Sequence, residues 1–172
     1  PGVTLTQTFK NAPGAQNYGV ELEGRMGLRH FSRELRRWTL LSNVTFIESQ
    51  IDLGSDKGTL TSSSRPLQGQ SPYVLNAQIQ YDRPNWGFSS TLLYNIIGKR
   101  ITEVGTDRIP DTYEQPFGQL DFVASQIIKK QWTISFRARN LLDPEVESTQ
   151  GSETVRTFRR GRVFSAVLGA NF

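Results

Sequence analysis

The stretch "RVFSAVLGANF" near the end of the chain sorts into two sets when read by twos. Phe164, Ala166, Leu168, Ala170 and Phe172 form one set. Val163, Ser165, Val167, Gly169 and Asn171 form the other. Successive side chains of a β-strand point to opposite faces. Such a strand therefore has one wholly apolar face bounded by aromatics and one face of small, mostly water-tolerant residues. Termini are usually polar and frayed, so a chain that stops on the bulky apolar Phe172 predicts a final strand tied into a sheet.

The same period of two runs through the chain, rich in β-branched and aromatic residues, and no stretch carries a helical apolar period. Eight strands are predicted. The first is "VTLTQTFK", with Val3, Leu5 and Phe9 opposite Thr4, Thr6 and Thr8. In "NYGVELEGRMGLR", Tyr18, Val20, Leu22, Gly24, Met26 and Leu28 share one face, and Glu21, Glu23, Arg25 and Arg29 the other. "RWTLLSNVTFI" sets Trp38, Leu40, Val44 and Phe46 against Thr39, Asn43 and Thr45. "YVLNAQIQYD" sets Tyr73, Leu75, Ala77, Ile79 and Tyr81 against Asn76, Gln78, Gln80 and Asp82. "GFSSTLLYNII", "GQLDFVASQII" and "QWTISFRARN" repeat the pattern, the last two placing Asp121, Arg137 and Arg139 on the polar face. The terminal strand is the eighth. Within the strand bodies the apolar face carries no charge; its polar exceptions are Gln7, Ser42, Ser90 and Gln126.

A soluble β-sandwich would also segregate its faces, apolar inward. A membrane barrel reverses the arrangement, and a Lys or Arg at the lipid midplane of a barrel costs about 2–4 kcal/mol. Two further features favour the barrel. Short connections ("HFSRELR", "RPNW", "KKQ") alternate with long ones (Gln50 to Pro72, Gly98 to Phe117, Leu142 to Arg156), with "NAPGAQ" a short member of the long set. Up-and-down membrane barrels alternate in this way. Aromatics, among them Trp38, Tyr73, Tyr81, Trp86, Phe88, Trp132, Phe164 and Phe172, collect near strand ends, as in interfacial girdles. With 36% apolar residues and a mean hydropathy of −0.44, the chain holds no run approaching the roughly 20 apolar residues of a spanning helix. A barrel strand needs only about 9–11 residues.

Little in the chain points to catalysis. There is no cysteine and a single histidine, His30, at a strand end. A nucleophile needs an adjacent base, and metal sites need several converging ligands; neither pattern is present. "GSDKG" has too few acidic residues for a calcium loop. No phosphate or dinucleotide fingerprint occurs. Enzymatic, cofactor and metal roles are therefore not expected. The net charge is +4, and the basic clusters "RELRRW" and "RTFRRGR" come without any nucleic-acid motif, so they read as solvated loops and strand ends. Arg25, Arg29, Arg137 and Arg139 are expected to form ion pairs with Glu21 and Glu23, because charges lining a lumen need compensation.

Several stretches together resemble the C-terminal barrel of TonB-dependent outer-membrane receptors. They are "NYGVELEGR", "NVTFIESQI", "RPLQGQSPYVLNAQIQYD", "TLLYNIIGKRI", "ARNLLDPEV" and "GRVFSAVLGANF". The resemblance spans residues 1–172. It implies an all-β fold: an antiparallel up-and-down transmembrane barrel segment of about eight strands from a 22-stranded barrel, with plug domain, TonB-contact box and other strands absent. The start at Pro1 without methionine or signal peptide is expected of a processed or truncated chain. The implied partners are outer-membrane lipid, the missing strands and plug, TonB, and the barrel assembly machinery through the final Phe172. The implied location is the outer membrane of a Gram-negative-type bacterium. The implied role is uptake of a scarce solute such as an iron chelate, cobalamin, glycan or peptide. Glu21, Glu23, Arg25, Arg29, Asp121, Arg137 and Arg139 would face the lumen, plug or solute; Trp38, Tyr73, Tyr81, Trp132, Phe164 and Phe172 would face lipid. The rivals are a self-contained eight-stranded barrel with a structural or adhesive role, and a soluble β-sandwich binding module.

Overall fold

The computed structural model describes residues 13–54 and 58–170. Twelve strands account for nearly all of its regular structure. They are β1 (Gly14–Gly27), β2 (Trp38–Asp52), β3 (Ser64–Arg65), β4 (Tyr73–Arg83), β5 (Phe88–Ile97), β6 (Arg100–Glu103), β7 (Thr112–Glu114), β8 (Phe117–Ile128), β9 (Trp132–Arg139), β10 (Glu145–Gln150), β11 (Glu153–Arg159) and β12 (Val163–Ala170). Three short 3₁₀ turns complete the set. Among the described residues no helix is long and apolar enough to cross a membrane.

Seven strands form one antiparallel wall in the order β1-β2-β4-β5-β8-β9-β12, with β3 attached to β2. Seven of the expected strands are these seven; the stretch "VTLTQTFK" lies outside the described residues, as does Phe172. The register keeps the predicted faces in line from strand to strand. Leu22 opposes Val44, Val44 opposes Leu75, and Leu75 opposes Ile96. Leu92 opposes Phe122, Phe122 opposes Ala138, and Ala138 opposes Phe164. Because the side-chain period is two, a slip of one residue anywhere would mix the faces. Charges occur on the apolar side only at strand ends: Glu48 and Asp52 on β2, and Arg83, the last residue of β4.

This apolar face is uncovered. Phe46 is 55% exposed, Phe164 60% and Leu168 65%, and no second sheet lies against them. A sandwich would bury these residues. The charge-free band runs from Trp38 to Phe46, Tyr73 to Tyr81 and Phe88 to Ile96, matching the roughly 9–11 residues of a tilted spanning strand. Ser42, Ser90 and Gln126 are on this face as expected. Gln126 is satisfied locally, its Nε2 donating to the Trp86 carbonyl at 2.6 Å. β1 and β12 form the two ends of the wall and do not pair with one another. The described residues thus form an open section, not a closed eight-strand barrel.

All three short turns lie at one end. Lys129 (φ 49°) and Lys130 (φ 59°), both left-handed as the central residues of a type I′ turn are, form the last with Gln131, whose N–H donates to the Ile128 carbonyl at 3.2 Å. In the second, Gly87 (φ 64°) closes the 3₁₀ turn Pro84–Trp86, and a Cβ there would meet the Ile127 Cβ at 2.9 Å. In the first, the chain leaves β1 at Gly27, and Leu28–His30 is a 3₁₀ turn. This corrects the expected place of Leu28 and Arg29: they stand on the turn, past the strand, and Arg29 does not line the wall.

The long connections are not plain loops. The second and third contain β6, β7, β10 and β11, which form a separate four-stranded sheet in the order β11-β10-β7-β6. It continues β5, β8, β9 and β12 beyond a row of interruptions at 98–99, 115–116, 140–144 and 160–162. The fully buried side chains of the described residues, Ile101, Val146 and Ser148, are all in this sheet.

Candidate functional site

The polar face of the wall is the surface a barrel turns to its lumen. Its middle is a row of amides. Asn43 opposes Asn76, Asn76 opposes Asn95, and Asn95 opposes Gln119, crossing four strands without a gap, with the carboxylate Glu23 opposite Asn43 at one end. Neighbours satisfy one another: Asn95 Nδ2 donates to Asn76 Oδ1 at 2.7 Å, Asn43 Nδ2 donates to Glu21, and Gln119 Nε2 donates to both Asp121 oxygens at 3.0 and 3.1 Å. An amide both donates and accepts, so the row offers either sense of hydrogen bond and no net charge. The residues expected from the sequence to line the lumen are the charged ones of this face and do not include the amides. The alternation placed them on the right side, but only the register shows that they align.

The expected lumenal residues are spread along the wall. Glu21, Glu23 and Arg25 are on β1, Asp121 on β8, and Arg137 and Arg139 on β9. β2, β4, β5 and β8 separate β1 from β9. The expected pairing of Glu21 and Glu23 with Arg137 and Arg139 is therefore not made in the wall, and Arg29 is away from it on the turn. The ion pairs of the described residues lie elsewhere, between Arg100 and Glu114 at 2.7 Å and between Arg159 and Glu145 at 3.8 Å. Of the expected girdle, Trp38, Tyr73, Tyr81, Trp132 and Phe164 share the apolar face. Trp38, Tyr81 and Phe88 form a tilted aromatic chain with centroid spacings of 4.9 and 6.1 Å.

Asp121 belongs to a node that ties the wall to the outer sheet. Its Oδ1 accepts the backbone N–H of Asn140 at 2.8 Å. Asn140, in the left-handed region (φ 57°) and 7% exposed, donates from Nδ2 to the Gly161 carbonyl at 2.7 Å. Gly161 (φ 79°) donates its N–H to Asp143 at 3.0 Å, and Arg162 Nε donates to the Leu141 carbonyl at 2.9 Å. Thus "NLLD" and the later "GR", far apart in sequence, are two halves of one junction.

In the outer sheet a charged row crosses all four strands: Arg100, Glu114, Ser148 and Arg156 oppose one another in turn. Arg100 holds Glu114 from Nη2 and Nε, and Arg156 Nη2 donates to Ser148 at 3.4 Å. Between this sheet, the segment 66–72 and the upper ends of β1 and β2 is a cavity of about 770 Å³. Lys99, Ile101 and Tyr113 line it with Pro66, Gln70 and Pro72. Its wall-side lining comes from both faces, Tyr18, Val20 and Phe46 from one and Ile47 and Ser49 from the other, because β1 is the last described strand. The Lys99 ammonium sits 4.3 Å from the Tyr113 ring centroid. Burial raises the Tyr113 pKa above its ordinary value, helped by Asp111 and opposed by Arg65. Among the described residues, no group of His, Cys, Asp and Glu converges as a metal site would.

An open antiparallel wall with a bare apolar face, a hydrogen-bonded polar face, short turns at one end and structured long connections at the other is a section of an outer-membrane-type β-barrel. Residues 1–141 match the family model described as TonB dependent receptor-like, beta-barrel. The chain belongs to this family, whose members are receptors and transporters of the outer membrane. No curated protein and no solved structure matches it.

Proposed function

We infer that this chain is the C-terminal part of the barrel of a receptor that takes up a scarce solute across the outer membrane of a Gram-negative-type bacterium, energised through TonB. The observation that carries the reading is the apolar face, kept in register over seven strands and uncovered. The amide row, with Glu21, Glu23, Arg25, Asp121, Arg137 and Arg139, faces a plug domain or the passing solute. Strands beyond the described residues pair with the outer edges of β1 and β12, and the terminal strand is the element that the assembly machinery reads.

The test is made in cells producing the full receptor. Uptake of radiolabelled iron chelates and cobalamin, and growth on limiting glycans or peptides, are compared with and without functional TonB. The reading expects at least one solute whose uptake needs both the receptor and TonB. Uptake that survives loss of TonB, or a full chain that fractionates as a soluble protein, would refute it.

A further inference from the structure

The two ends of the wall differ in charge. The long connections, residues 53–72, 98–116 and 140–162, hold nine basic and nine acidic residues and balance. At the short-turn end, residues 28–37, 82–87 and 128–131, the only carboxylates are Glu34 and Asp82. Against them stand Arg29, Arg33, Arg36 and Arg37 on the first turn, Arg83 on the second, and Lys129 and Lys130 on the third. This end therefore carries more positive charge than the net +4 of the whole chain. None of these cations makes an ion pair with a described carboxylate.

One of them is placed differently from the rest. Arg83 opposes Phe88 and follows Tyr81 on the apolar face, so its guanidinium stands on the lipid side of the wall. It lies over the Trp86 ring, and its Nε is buried without a hydrogen-bond partner. A guanidinium held on an aromatic face, still without an acceptor, and set at the edge of an apolar band, meets the phosphate of a lipid whose acyl chains lie along that band. We propose that the short-turn end binds anionic glycerophospholipid, with Arg83 and Trp86 clamping one headgroup phosphate and the turn cations Arg33, Arg36, Lys129 and Lys130 forming a basic rim around it. The preference comes from charge complementarity, since each Lys or Arg near an anionic lipid surface adds about 1 kcal/mol of attraction.

The inference rests on the membrane reading above. The test uses the full receptor folded in detergent micelles, with the heat-dependent gel shift of folded barrels as the control for folding. Retention of phosphatidylglycerol and phosphatidylcholine is measured for the parent protein, for Arg83→Gln and for the turn variant Lys129→Gln/Lys130→Gln. Phosphatidylglycerol is expected to be kept in preference, and retention to fall about five-fold for each cation removed. The turn variant carries the test alone if Arg83→Gln does not fold. Equal retention of the two lipids, or an unaltered preference in the folded variants, would overturn the proposal while leaving the barrel intact. Displacement of the lipid by inorganic phosphate would overturn it in favour of a soluble anion.

Discussion

In the wall, Leu92, Phe122, Ala138 and Phe164 form a line across β5, β8, β9 and β12. Beyond the interruptions the chain returns as β6, β7, β10 and β11, and there the corresponding line is Arg100, Glu114, Ser148 and Arg156. The pairing is antiparallel in both. What changes is the surroundings. The wall leaves its apolar face uncovered and free of charge except at the strand ends, which is stable only where lipid replaces water. The outer sheet does the reverse: it hides Ile101 and Val146 and pairs its buried Glu114 with Arg100, as a sheet in water does. Asn140 and Gly161 stand where one regime gives way to the other.

The largest effect that would break this comparison is an arginine placed on each side of the junction. Leu92→Arg, in the middle of the apolar face, should cost about 2–4 kcal/mol of folding stability in a bilayer. Val155→Arg, on the exposed strand β11, should stay within about 0.5 kcal/mol. Reversible denaturant unfolding in liposomes compares them, and equal costs would erase the distinction. Next comes the junction. Asn140→Ala removes the donor to the Gly161 carbonyl and strains a left-handed position, so it should cost about 1–3 kcal/mol. Protease nicking near residues 140–162 should increase before the wall loses its heat-dependent gel shift.

A smaller effect is expected in the core of the outer sheet. Ile101→Val should cost about 0.5–1.5 kcal/mol, seen as faster hydrogen exchange in β6 and β7 with β4 and β5 unchanged. The smallest concerns Tyr113. Its folded pKa is raised above the unfolded 10.0, chiefly by burial. The stability it confers is therefore complete below about pH 10 and is lost as the pH rises through the folded pKa. Tyr113→Phe should remove that alkaline loss, measured as exchange in the outer sheet between pH 9 and 11.

The wall was legible in the sequence because lipid demands a rule that a period-two reading can see. In "YVLNAQIQYD" every second residue is apolar, and β4 covers Tyr73–Arg83. The outer strands obey no such rule. "EVESTQ" and "ETVRTFR" are polar on both faces, and what makes them strands is pairing with one another and with β7. The pairing of β10 with β7 joins segments more than thirty residues apart, as with Gln115 Nε2 and Thr149. The Lys129-Lys130 turn lacks the Asn-Gly signature of its type. The amide row escaped for a related reason: alternation gives the face of Asn43, Asn76 and Asn95, whereas their alignment depends on the offset between strands. The expected ion pairs failed on distance, since sharing a face in a wide sheet does not make β1 and β9 neighbours.

If the wall spans a bilayer, its apolar face, even-numbered on every wall strand except β4 and odd-numbered there, meets lipid, and the opposite face meets the lumen. The chain has no cysteine, so single-cysteine variants along β5, from Phe88 to Ile97, can each carry a spin label in the full receptor reconstituted in bilayers. Labels at 88, 90, 92, 94 and 96 should be relaxed by lipid-dissolved oxygen, and those at 89, 91, 93, 95 and 97 by a water-soluble nickel complex. Accessibility without that alternation, or with its phase reversed, would contradict it.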